Sequence, residues 1–154
     1  MEVEWILGHA LVLALLSGPA FGAEAPATTG KFLVNARWRL ESVADDAFAE
    51  DALANTLRLR VGYQTAVYKG FSGVLELEGT SYLFDDDFNS TANGNIQYPV
   101  VADPNAYEIN RAFLAYAPNN NAKFDLGRQT LVIDNQRFFG NVGWRQNEQT
   151  FDAF

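Results

Sequence analysis

Residues 56–80, TLRLRVGYQTAVYKGFSGVLELEGT, leave a chain of this kind few ways to fold. Leu57, Leu59, Val61, Tyr63 and Val67 fall on one parity, and Arg58, Arg60, Gly62 and Gln64 on the other. That period of two marks a strand whose two faces meet different surroundings. After Tyr68-Lys69-Gly70 the second arm alternates likewise, with Phe71, Gly73, Leu75 and Leu77 set against Ser72, Val74, Glu76, Glu78 and Thr80. Opposed residues share a side of the sheet, so the connection decides how the faces match. A two-residue turn at Lys69-Gly70 would place Arg60 and Gly62 beside Leu77 and Leu75. A three-residue loop, 68–70 with Gly70 left-handed, opposes Val67 to Phe71, Tyr63 to Leu75, Val61 to Leu77, Gly62 to Glu76 and Arg60 to Glu78. The second register is predicted, because it leaves one face continuously apolar and gathers two arginines and two glutamates on the other.

The rest of the chain extends this pattern. In residues 31–41, Phe32, Val34, Ala36, Trp38 and Leu40 alternate with Lys31, Asn35, Arg37, Arg39 and Glu41, over a length close to the roughly 9–11 residues of a membrane-spanning strand. Further strands are predicted at 107–117 and 122–129, and the start of a sixth at 150–154. In 107–117, Glu108 and Asn110 join Arg111 on the polar face only if a bulge intervenes. The connections alternate long (42–55, with room for a short helical turn), short (68–70), long (81–106), short (118–121) and long (130–149). An outer-membrane barrel has this rhythm, with short periplasmic turns and long extracellular loops. The polar face carries too much charge for the packed interior of a small soluble barrel. The apolar face is therefore expected to meet lipid and the polar face a wet lumen, with Tyr68 and Phe71 at one interface and Trp38 toward the other. The expected fold class is all-β: an antiparallel transmembrane β-barrel of which this chain holds the N-terminal portion, five to six strands, not closed.

Residues 5–16 form an apolar run too short for a transmembrane helix, followed by small residues. This predicts a signal peptide at 1–22 and a flexible mature terminus at 23–30, with the barrel portion at 31–154. Glu2 and Glu4 stand where such a leader usually has lysine or arginine. The chain has no cysteine, and its one histidine, His9, lies in that leader. A mature chain without either has no disulfide, no Ser-His-Asp triad and few routes to a zinc site, so no catalytic residue, cofactor or metal is expected. A net charge of −8 argues against nucleic acid as a partner.

Four stretches carry a family resemblance: Leu126-Gly127-Arg128-Gln129, Asp134-Asn135-Gln136-Arg137-Phe138, Gly143-Trp144-Arg145-Gln146 and Thr150-Phe151-Asp152-Ala153. With Asn110-Arg111-Ala112-Phe113 upstream, the chain from Gly30 onward resembles the leading part of the alginate-export family of Gram-negative outer-membrane porins. The resemblance implies export to the outer membrane, contact with its lipid and lipopolysaccharide, and passage of anionic solutes or polysaccharide through an arginine-lined lumen. Two other classes compete with this channel reading: an outer-membrane barrel enzyme acting on lipid or glycan, and a soluble secreted β-sheet binding protein.

Arg37, Arg39, Arg58 and Arg60 fall on lumen parity in adjacent strands, where a guanidinium holds a carboxylate by paired hydrogen bonds without losing its charge. Glu76 and Glu78 face them from the next strand, so an ion-pair ladder that neutralises the wall is the competing reading. By analogy with general porins, Arg111 and Arg128 are constriction candidates, Arg128 alternatively sitting at the headgroup rim. Arg137 and Arg145 are candidates in the following loop. Asp85-x-Asp87-x-Asn89 imitates the start of a calcium loop, but Ser90 and Ile96 occupy the positions that need glycine and glutamate; a solvated acidic loop at the lipopolysaccharide surface is expected. Glu76 and Glu78 also have the spacing of paired carboxylates, although facing arginines favours a structural role.

Overall fold

The computed structural model describes residues 29–84, 86–133, 136 and 140–154. The expected signal peptide, most of the expected flexible terminus, Asp85 and Arg137 lie outside the described residues. The chain forms β1 (Lys31–Val43), β2 (Ala52–Gln64), β3 (Phe71–Tyr82), β4 (Ala106–Asn119), β5 (Ala122–Gln129) and β6 (Phe151–Ala153). They make one six-stranded antiparallel sheet in sequence order, with no helix among the described residues. β1 and β6 are its edges, so the sheet is not closed.

The central register is the one the alternation predicts: Arg60 lies opposite Glu78, Gly62 opposite Glu76, Val61 opposite Leu77 and Tyr63 opposite Leu75. The tip corrects the expected connection. Tyr68 and Phe71 exchange backbone hydrogen bonds of 2.9 Å in both directions, leaving a two-residue turn in which Lys69 and Gly70 have φ of 51° and 86°. Positive φ at both central positions belongs to the type I′ family, whose twist suits a hairpin. Farther in, the Thr65 amide donates to the Gly73 carbonyl at 2.9 Å. From Thr65 to Tyr68 the chain advances one residue more than from Phe71 to Gly73. A bulge beside the turn thus restores the predicted faces.

β1 and β2 run farther than expected, shrinking the first long connection to residues 44–51. In place of a helical turn it holds one turn closed by the Phe48 amide on the Asp45 carbonyl, 3.0 Å. The bulge anticipated in β4 is present: pairing shifts between Glu76/Arg111 and Leu77/Ile109, leaving Asn110 as the extra residue. Both Asn110 and Arg111 are thereby turned to the polar face.

Exposure alternates along the strands in the reverse of a soluble sheet. Phe32 is 80% exposed, Leu75 and Leu77 each 53% and Leu126 62%, while Arg58 is 5%, Glu76 4% and Glu78 3% exposed. What covers the polar face is the chain itself. Residues 86–105 fold onto its upper part, where fully buried Phe88 and Val101 pack against Ala52 and Ala54 with help from Val43, Tyr82 and Tyr98. Ala52 and Ala54 share the face of Arg58, and their small side chains leave room there for the Phe88 ring, which meets Tyr82 edge-on at 5.0 Å. Fully burying such a ring contributes roughly 1.5–3 kcal/mol. This small cluster is the apolar core of the described residues.

Candidate functional site

The polar face becomes a site because four strands stack their charges in register. Arg37 lies opposite Arg58, Asn35 opposite Arg60, Arg60 opposite Glu78, and Glu76 opposite Arg111. Directly opposed side chains stand about 5 Å apart at Cβ, close enough for direct pairing.

Three arginines of this face, Arg111, Arg60 and Arg39, hold carboxylates. Arg111 donates Nε to Glu76 Oε1 at 3.0 Å and Nη2 to Glu76 Oε2 at 2.7 Å, a two-point clasp. Asn110, turned inward by the bulge and fully buried, adds its amide to Glu76 at 2.9 Å and to Glu148 at 3.0 Å. Arg60 pairs with Glu78 through Nε and approaches Glu148 to 3.0 Å through Nη2. Arg39 pairs with Glu41 on its own strand and, at 2.9 Å, with the buried carboxylate of Asp103 from residues 86–105. Glu76 and Glu78 are thus each engaged by an arginine.

Residues 141–149 lie across this wall. Gln146 is fully buried: its backbone amide donates to Asp103 Oδ1 at 2.9 Å, and its side-chain amide donates to the Thr56 hydroxyl at 2.8 Å and carbonyl at 3.1 Å. Its Oε1 accepts from Arg37 Nε at 2.8 Å, while Arg37 Nη1 donates to the Gly143 carbonyl at 2.7 Å. Arg145 stacks over Trp144 with its guanidinium 4.0 Å from the ring centroid, and its Nη1 is 3.9 Å from both Glu41 and Asp103. One segment therefore touches charged groups of β1, β2 and β3 and the Asn110 amide of β4.

Arg37, Arg39, Arg58, Arg60, Arg111, Glu76 and Glu78 are accordingly gathered on one face, with Arg145 reaching it from the loop. Arg128 does not join them. Pairing runs without a break from Leu114 opposite Leu126 to Ala112 opposite Arg128, so Arg128 shares the outward face of Phe124 and Leu126. There it clasps Asp152 at 3.0 Å through both Nε and Nη2. Gly127, at φ 130°, presses so close to β4 that a Cβ would come within 2.3 Å of the Ala112 carbonyl oxygen.

The acidic loop is tied down rather than loose. The Asn95 amide donates to the Asp86 carbonyl at 2.7 Å and that of Asn93 to the Phe88 carbonyl at 2.8 Å. The Tyr98 hydroxyl donates to Asp87 at 3.3 Å, and desolvation together with that carboxylate raises its pKa above the usual tyrosine value. No group of three or more His, Cys, Asp or Glu placed to hold a metal occurs among the described residues. Asp103, Asn110, Gln146 and Glu148 are the members that strand alternation does not single out. Asn110 alone carries a signal, the parity break in β4.

Comparison of the chain with protein-family models, with curated proteins and with solved structures finds no match.

Proposed function

We propose that these six strands are one arc of an outer-membrane β-barrel channel, of the alginate-export type suggested by the sequence resemblance, passing anionic solutes or polysaccharide along the arginine-bearing face. The observation that carries this reading is the inversion of the sheet: charge buried and leucine exposed on the same strands. In water that arrangement leaves a large apolar surface unpaid by any burial; against hydrocarbon it costs nothing, and the polar face then lines an aqueous interior.

The distribution of aromatic residues on the outward face supports it. Near the short-turn end Phe32 packs edge-on against Tyr63 at 5.1 Å, and Phe71 stacks on Tyr116 at 4.3 Å. Toward the opposite end stand Trp38, whose Nε1 donates to Asn55 Oδ1 at 2.7 Å, and Tyr107. Valine, leucine and isoleucine fill the band between. The tyrosine and tryptophan rings, each with one polar atom, suit the two membrane–water boundaries. The smallest single-chain barrels of this class use about eight strands, so an arc of six needs further strands to close.

Two measurements test the reading. In cell fractionation the protein should remain with outer membranes through salt and carbonate washes and leave only with detergent; recovery in the soluble periplasmic fraction would sink it. In planar bilayers under a salt gradient, the reversal potential should report anion preference and shift toward cations when Arg58 and Arg60 are replaced by Ala. The positive charge of Arg58 and Arg60 acts through a field that salt screens over about 10 Å at 0.1 M, so the shift should shrink at high salt.

A further inference from the structure

The guanidinium groups of this protein allow an internal comparison. The Nε and Nη2 groups form one edge of the arginine fork, the edge that takes both oxygens of a carboxylate. Arg111 fills it with Glu76 at 3.0 and 2.7 Å, and Arg128 fills it with Asp152 at 3.0 Å on both nitrogens. Arg37 and Arg58 do not. Arg37 Nε reaches Gln146 Oε1 at 2.8 Å, while Nη2 beside it is buried without a partner. Arg58 Nη2 reaches Asn35 Oδ1 at 2.7 Å, while its Nε is buried without a partner. In both, a side-chain amide, which has only one oxygen, half-fills a fork built for two.

These two arginines are directly opposed across β1 and β2, and their three hydrogen-bond partners, Gln146, the Gly143 carbonyl and Asn35, are neutral. Like charges facing each other on a covered wall repel, and each vacant N–H adds the cost of a desolvated donor. Glu and Asp side chains offset the charge of Arg39, Arg60 and Arg111; among the described residues none is hydrogen-bonded to Arg37 or Arg58. We propose that Arg37 and Arg58 together form a binding site for a carboxylate of the transported solute, and that the Gln146 amide occupies it as a displaceable stand-in. The incoming group accepts from Arg37 Nη2 and Arg58 Nε and takes over the Arg37 Nε donor, releasing the Gln146 side chain. Residues 141–149 thereby become a plug whose hold on the wall is weakened by the solute itself. The inference rests on the channel reading for the origin of the solute, but its chemistry does not require a bilayer.

The test uses the full chain in detergent, with glucuronate as probe and glucose as its uncharged counterpart, followed by calorimetry and by tryptophan fluorescence, since Trp144 lies two residues from Gln146. Glucuronate should bind saturably and glucose should not. Arg37→Gln and Arg58→Gln should each weaken glucuronate by about tenfold or more, the loss expected for hydrogen bonds to a charged group. Arg128→Gln, on the outward face, should bind as wild type. Gln146→Glu keeps both arginines and supplies the missing oxygen in cis, so it should also weaken glucuronate by about tenfold; Gln146→Ala removes the competitor and should tighten binding. If the arginine variants do not fold, the two Gln146 variants decide. No saturation in wild type, equal response to glucose, or unchanged affinity in Gln146→Glu would overturn the proposal. Membrane insertion without this binding sinks the carboxylate site alone, and binding without membrane insertion sinks the channel reading alone.

Discussion

The two faces of the sheet obey opposite rules although the same strands build both. On the inner face arginine and glutamate are buried, Arg39, Arg60 and Arg111 in carboxylate pairs and Arg37 and Arg58 on neutral amides and a carbonyl, and two long connections fold down to supply several of these partners. On the outer face leucine, valine and phenylalanine stand exposed with few contacts beyond their cross-strand neighbours. On the membrane reading proposed above, polarity does not decide what is core; the surrounding solvent does. The inner face is specified by directional bonds that each need a named partner, whereas the outer face needs only to be apolar. Substitutions should follow that division: partner by partner inside, and by polarity alone outside.

The largest effect is expected where a two-point clasp is broken. Glu76→Ala would remove both fork bonds of Arg111 and one of the two amide bonds of Asn110, and removing one member of a buried pair costs about 3–5 kcal/mol. Urea unfolding of the membrane-inserted protein should register that loss; a cost below about 1 kcal/mol would mean that water readily replaces Glu76 and that the inner face is far wetter than its burial implies. Next in size is Leu59→Arg, at the middle of the outer face of β2. A cation facing the bilayer midplane costs about 2–4 kcal/mol in a barrel. If the variant were instead as stable and more soluble, the outer face would be in water and the contrast between the faces would lose its explanation.

The alternation in residues 56–80 made the faces and the register legible, because a slip of one residue would have put leucine among the charges. It did not make the turn legible. A three-residue loop and a two-residue turn preceded by a one-residue bulge produce the same pairing of Arg60 with Glu78, and face matching sees only their sum. Ala52 and Ala54 went unrecognised as strand because alanine is a poor strand former; their role is to be small beneath Phe88, a contact fixed by tertiary packing. The arginines of β1 and β2 were readable by parity, and Asn110 by the break in it. Gln146 and Asp103 were not: each sits in a stretch without periodicity, and its importance comes from groups more than forty residues away in sequence. Arg128 was drawn inward by analogy with general porins, although its parity with Phe124 and Leu126 already placed it outside.

That outward position makes Arg128 the sharpest probe of where the apolar face ends. Arg128 and Asp152 are the charged pair that interrupts it, and both are open to their surroundings, with side-chain exposures of 39% and 70%. If they lay in hydrocarbon, Asp152→Asn would leave an uncompensated guanidinium facing lipid and the variant would insert poorly. If they lie at the headgroup rim, water and lipid phosphates replace the lost carboxylate, and an exposed pair contributes little in the first place. Arg128 follows Gly127 near the end of β5 that leads into residues 130–150, the side of the long connections, so the rim is the expected location. Asp152→Asn should therefore leave the urea midpoint and the yield of membrane-inserted protein unchanged within error. A clear fall in either would place the pair within the hydrocarbon band and extend the outer face past β5.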